Sequence, residues 1–241
     1  METLKLARLP GEAEAAPDPS WKGLYWAGGL SALLVGVLYI VATVLVFIMP
    51  QPPGSGGAAT LQYIASNRSG YILELVLYVV PSALAMVVFL ALFMALKHLN
   101  KSYAAIGALV AIASSVVALA YNSSPPSLNG SLVYLSDQYV AATTAAQHAA
   151  LATAAEGLIA VTNAVNAAGI LTATGILIIS LVMLKGVSQK GVAYLGIVTG
   201  ALGIISESLR LVLGPGYIFY GVLLMIWFLV VGWKLYRMGR E

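Results

Sequence analysis

Cysteine is absent from this 241-residue chain. That excludes disulfides, thiolate metal centres and iron–sulfur clusters, and it leaves the redox compartment open. Charge is nearly as scarce. Asp, Glu, Lys and Arg make up 9% of residues, against about 25% in a soluble domain. Such a chain cannot clothe itself in a wetted surface. Histidine occurs only as His98 and His148. They are expected on opposite faces of a membrane, so one haem cannot sit between them. His148 and Glu156 are eight residues apart, too far along a helix to share one zinc without other ligands. Both histidines therefore read as surface or interface residues, and no metal or cofactor is expected. HExxH, GxSxG and a P-loop are also missing; Gly54-Ser55-Gly56-Gly57 lacks the Lys and helix of a phosphate cradle.

Hydrophobic residues are abundant, at 60% of the chain, with a mean hydropathy of +0.92. Membrane residence follows, because about 20 apolar residues cross a hydrocarbon core of about 30 Å. The apolar runs predict six helices, over residues 24–49, 71–96, 103–121, 157–184, 192–213 and 217–236. The expected fold is an all-α membrane protein, a single six-helix bundle over 21–241. Residues 1–20, polar and without a signal-peptide core, are expected to form a flexible cytoplasmic tail. Residues 122–156 are expected as an external loop or helix.

The bases orient the six spans. Lys5, Arg8, Lys22, Lys97, Lys101, Lys185, Lys190, Lys234, Arg237 and Arg240 fall on one side, and only Arg68 and Arg210 approach the other. That asymmetry places both termini in the cytoplasm of a plasma-membrane protein. It also explains the net charge of +3 without a nucleic-acid partner. The N-x-[ST] sequons decide little: Asn67, Asn122 and Asn129 fall outside but Asn100 inside. After Asp137, a candidate helix cap, the Ala-rich run has no Gly or Pro until Gly157. A helix from there to Leu184 would outrun the bilayer, so the fourth helix is expected to extend partly outside. Pro81, in the second span, frees the carbonyl of Leu77.

The polar residues gather toward the outer side. In SESLR, Glu207 lies roughly 22 Å along the fifth span and Arg210 one turn further. Gly196, Gly200, Gly203, Glu207 and Arg210 recur at spacings of four and three, which puts them on one stripe. Gly196-x-x-x-Gly200 is a small-residue packing pattern, so the stripe is expected to face protein. Glu74 lies near the outer end of the second span. Asn163, Asn166 and Thr174 lie along the fourth, with Glu156 beyond them. Glu74, Asn163, Asn166, Glu207 and Arg210 form the candidate outer-leaflet polar cluster; none is assigned a catalytic role. Two readings stand open: an internal ion pair that fixes helix register, or an outward-facing pocket for a ligand or a partner's charge.

The segments YILELVLY (Glu74), LKHLNKSYAAIGALV, SQKGVAYLGIVTGALG and ISESLRLVLGPGY (Glu207) resemble domain-of-unknown-function family 4386, a group of integral membrane proteins. The resemblance covers about residues 21–237. It implies six spans and carries over no activity. The Ala-rich stretch near 138–156 is longer than the family pattern.

The functional expectation is a non-enzymatic binding or accessory subunit, with the lipid bilayer and other membrane subunits or a second copy as partners. The alternative is a small-solute transporter or channel using Glu74, Glu207 and Arg210. An inverted repeat would put the glutamates of spans two and five on opposite sides, yet both are placed in the outer leaflet.

Overall fold

The computed structural model describes residues 18–50, 53, 56–121, 130–163, 167–186 and 190–241. The tail to residue 17, the sequons at Asn122 and Asn129, and Asn166 lie outside the described residues, as does the side chain of Asn163. Ten α-helices account for the architecture among the described residues: α1 (Lys22–Ile48), α2 (Gly57–Ser66), α3 (Arg68–Leu96), α4 (Lys101–Tyr121), α5 (Gly130–Ala141), α6 (Ala145–Asn163), α7 (Ala167–Met183), α8 (Lys190–Ser208), the single turn α9 (Arg210–Leu213) and α10 (Ile218–Arg240). No strand is present among them.

Among the described residues, five helices are long and apolar enough to cross a membrane: α1, α3, α4, α8 and α10. The chain is therefore a multi-pass membrane protein. α7 is apolar, and its described part, Ala167–Met183, is 17 residues long, at the lower end of span length. Apolar side chains also cover the outside of the bundle: Phe47 is 72% exposed, Leu109 69% and Phe219 73%. Water would not tolerate such a belt, and lipid does.

Six helices pack in a closed ring in chain order: α1 on α3, α3 on α4, α4 on α7, α7 on α8, α8 on α10, and α10 back on α1. Neighbours run antiparallel. Lipid tails are as apolar as leucine, so close contact rather than water exclusion must hold such helices. Small residues supply that contact. A Cβ added to Gly232 of α10 would come within 2.8 Å of the Leu33 nitrogen and 3.0 Å of the Gly29 carbonyl of α1. One added to Gly175 of α7 would meet Ala111 of α4 at 2.6 Å. The centre is filled by Phe89, Trp227 and Phe228, with Phe89 and Trp227 stacked at 6.1 Å and Trp227 edge-on to Phe228 at 5.2 Å. Ser114 of α4 donates to the Ala168 carbonyl of α7 at 2.5 Å.

The two ends of the ring differ. At one end the bases collect: Lys22 donates to the Glu241 carbonyl at 2.5 Å, and Lys97 stands 5.7 Å from the Trp21 ring. At the other end, α2, α5 and α6 pack on one another and on the start of α3, forming a cap. Leu61, Ile64, Tyr71, Leu132, Ala155 and Ile159 make its own apolar core. The Ser136 hydroxyl donates to the Leu61 carbonyl at 2.7 Å, and Arg68 at the head of α3 pairs with Asp137 of α5.

Several expected boundaries change. The expected fourth helix, over 157–184 with an outward extension, includes residues 164–166, which lie outside the described residues; before them α6, described to Asn163, packs in the cap, and after them α7, described from Ala167, packs in the ring. Asp137 caps no helix; it lies inside α5 and pairs with Arg68. The cap of α6 is instead Thr144, whose hydroxyl accepts from the Gln147 N–H at 3.2 Å. Gln147 Oε1 in turn accepts from the N–H groups of Thr143 and Thr144 at 3.1 and 3.2 Å. This is a reciprocal capping box. The fifth span, expected to reach residue 213, gives α8 ending at Ser208 and a separate turn from Arg210. The Ser208 hydroxyl donates back to the Ile204 carbonyl at 2.7 Å, a contact that bends helices. The Pro-rich loop after the first span contains α2, a helix not foreseen. Pro81 interrupts nothing: α3 continues through it, with Ser82 donating to the Tyr78 carbonyl at 3.0 Å.

Candidate functional site

Glu207 sits one residue from the end of α8, on the face that carries the glycines. Each glycine marks a point of contact with α7 or α10. Gly196 abuts Ser180 and Trp227; a Cβ on Gly200 would meet the Leu177 Cβ at 2.7 Å, and one on Gly203 would meet the Tyr220 ring at 2.5 Å and Ala173 at 2.7 Å. The stripe thus faces protein, and it carries Glu207 inward, where the residue is 3% exposed.

The carboxylate is held from two sides. The Tyr217 hydroxyl donates to Oε1 at 2.6 Å, and the Arg210 guanidinium lies 3.8 Å from Oε2. The first is a short charge-assisted hydrogen bond. The second exceeds hydrogen-bond length and acts by charge. The break after Ser208 does not separate the pair, because Arg210 follows within one turn. Tyr217 lies between them in a second sense: the guanidinium stands 5.1 Å from its ring centroid, and Tyr220 packs edge-on against the same ring at 5.8 Å. Acid, base and phenol form a compact, charge-balanced lock between the end of α8 and the start of α10. Sequence reasoning missed Tyr217, although its place just after the Gly214-Pro215-Gly216 turn brings it back toward the end of α8.

Glu74 is placed differently. It is 7% exposed, and its Oε1 has no hydrogen-bond partner among the described residues. It lies about 9 Å inward from Arg68 along α3, and Arg68 is already engaged by Asp137. On its helix, Tyr71 and Tyr78 share its face, and both pack against or within the cap core. Glu74 is therefore the ionisable side chain on the α3 face where cap and ring meet. From α2 above it, Tyr63 donates to the Pro50 carbonyl at 2.6 Å. Burial, and then the nearby Glu74 charge, push the Tyr63 phenol above its ordinary range. Thr60, one helical turn before Tyr63, is 3% exposed with a hydroxyl that has no partner among the described residues.

No family model, curated protein or solved structure matches the chain. The site is therefore read from its geometry alone. Of the other expected cluster members, Asn166 and the Asn163 side chain lie outside the described residues; Glu156, expected beyond the cluster, is exposed on α6. His148 touches the Thr144 carbonyl at 3.1 Å and stands edge-on to Tyr139 at 4.6 Å. Among the described residues no group of three or more His, Cys, Asp or Glu converges as a metal site would require.

Proposed function

We propose that this chain is a six-span plasma-membrane protein, of the architecture that the resemblance to family 4386 implies, acting as a non-enzymatic binding or accessory subunit. α7 serves as the remaining span, flanked in the ring by two span-length helices. The basic end and both termini face the cytoplasm, and the cap faces out. The observation that carries this reading is the cap itself: three helices with their own apolar core, set over the end of the ring where Glu74 and Glu207 are buried. A membrane anchor alone has no need of such a structure. The test is cross-linking in native membranes from a single cysteine at Ala154, exposed on α6, against one at lipid-facing Leu109. A discrete protein or ligand adduct from Ala154 only is expected; no adduct from either site contradicts the proposal.

Small-solute transport is the second reading. It draws on Ser180 Oγ and Trp227 Nε1, fully buried atoms without hydrogen-bond partners among the described residues. Both converge on Gly196, on the basic-end side of Glu207. Proteoliposome flux abolished by Glu207→Gln would establish transport. Against it, the Glu207–Arg210–Tyr217 lock is internally balanced, which suits a fixed joint better than a substrate site.

A further inference from the structure

We propose that the basic end of the ring binds a short-chain carboxylate, with its alkyl body in a cavity between α3, α7, α8 and α10 and Lys234 as its counter-ion. The site lies at the end opposite the cap, so it stands or falls separately from the role proposed for the cap.

The cavity forms where these four helices end together. Leu96 is the last residue of α3 and Met183 the last of α7; Val192 lies in the first turn of α8, and Lys234 and Leu235 lie in the last two turns of α10. All five line the cavity. Its empty space, counted to the partly open mouth, is about 270 Å³. That is just below the range of about 300–1,000 Å³ for pockets that take drug-sized ligands, so the occupant is small. Every lining side chain except Lys234 is apolar, and the body of the occupant is therefore apolar too.

Charge decides the rest. A half-buried lysine stands in this apolar wall. A lysine so placed lays its methylene stem on the apolar surface and keeps its ammonium at the wet edge. Exposed Lys185 and Lys190 lie two residues from the lining residues Met183 and Val192, and they add positive potential at the mouth. The only acids on the four lining helices, Glu74 and Glu207, lie toward their other ends. A cation is therefore repelled and an anion drawn in. The single ammonium among the lining residues matches one carboxylate, and the apolar wall matches an alkyl chain. A lipid with two acyl chains is excluded by size.

Full-length protein in phosphatidylcholine nanodiscs is titrated by calorimetry with sodium acetate, butyrate, hexanoate and dodecanoate. Empty nanodiscs, sodium chloride and hexylammonium chloride are the controls. Saturable hexanoate binding is expected, tightening about four-fold per methylene from acetate to hexanoate and no further at dodecanoate. Lys234→Gln should weaken it about ten-fold or more, as expected for loss of a charge-assisted contact. Ala95→Leu fills the cavity from the α3 wall and should abolish binding in a protein that still unfolds cooperatively. If one variant does not fold, the other decides. No saturable hexanoate binding, hexylammonium bound as tightly as hexanoate, or binding unchanged in a folded variant overturns the proposal. Affinity that keeps rising to dodecanoate also overturns it, because a chain that long is not held by this cavity. A cross-linked partner at the cap without hexanoate binding overturns this inference alone and leaves the accessory role standing.

Discussion

At the scale of single residues, two buried glutamates at the same end of the bundle have opposite circumstances. Glu207 is satisfied by Tyr217 and Arg210; the Oε1 atom of Glu74 has no hydrogen-bond partner among the described residues. Their variants should therefore diverge. Tyr217→Phe removes a hydrogen bond to a charged acceptor and should cost about 1.5–3 kcal/mol. Arg210→Ala leaves the carboxylate buried without its cation and should cost about 3 kcal/mol. The double variant Glu207→Gln with Arg210→Met removes both charges and should be less destabilised than Arg210→Ala alone. Denaturant-dependent unfolding of the full-length protein in micelles measures all three. If Arg210→Ala proves as stable as the wild type, the lock has no energetic weight.

At the scale of elements, glycine sorts the helices. Gly200 on α8 has the backbone of α7 against it, whereas Gly157 on α6 has nothing within 4 Å of an added Cβ. Gly200→Leu should separate α8 from α7 and lower the thermal midpoint by many degrees. Gly157→Ala should raise it slightly, since alanine is favoured over glycine in a helix by about 1 kcal/mol. Thr144→Ala removes the cap of α6 and should cost about 1 kcal/mol, visible as faster amide exchange over the first turn of that helix.

These same elements show what was legible in the sequence. The long apolar runs gave α1, α3, α4, α8 and α10 because a lipid-facing helix must be apolar along its whole length. The glycine stripe gave the orientation of Glu207, because its spacing follows the helical repeat. Short elements were harder. α2, α5 and the start of α6 owe their place to one another, through Leu61, Leu132 and Ala155, and such mutual burial leaves no long local signal. The capping box Thr144-Ala145-Ala146-Gln147 was readable, but Asp137 competed for the role until its pairing with Arg68 was visible. The state of Glu74 was beyond sequence, since its place in an outer-leaflet cluster with Glu207 and Arg210 does not say which acid the base serves, and the structure pairs Arg210 with Glu207.

At the scale of the whole molecule, the described helices form a ring with a basic rim at one end and, at the other, a cap at the end where Glu74 and Glu207 are buried. The absence of cysteine makes that polarity directly measurable with single introduced thiols. Ala154→Cys on the exposed face of α6 and Arg240→Cys at the end of α10 are each treated on intact cells with a membrane-impermeant maleimide. Labelling of the Ala154 variant on intact cells, and of the Arg240 variant only after permeabilisation, is the predicted result. The reverse pattern, or both sites labelled from the same side, would contradict the account.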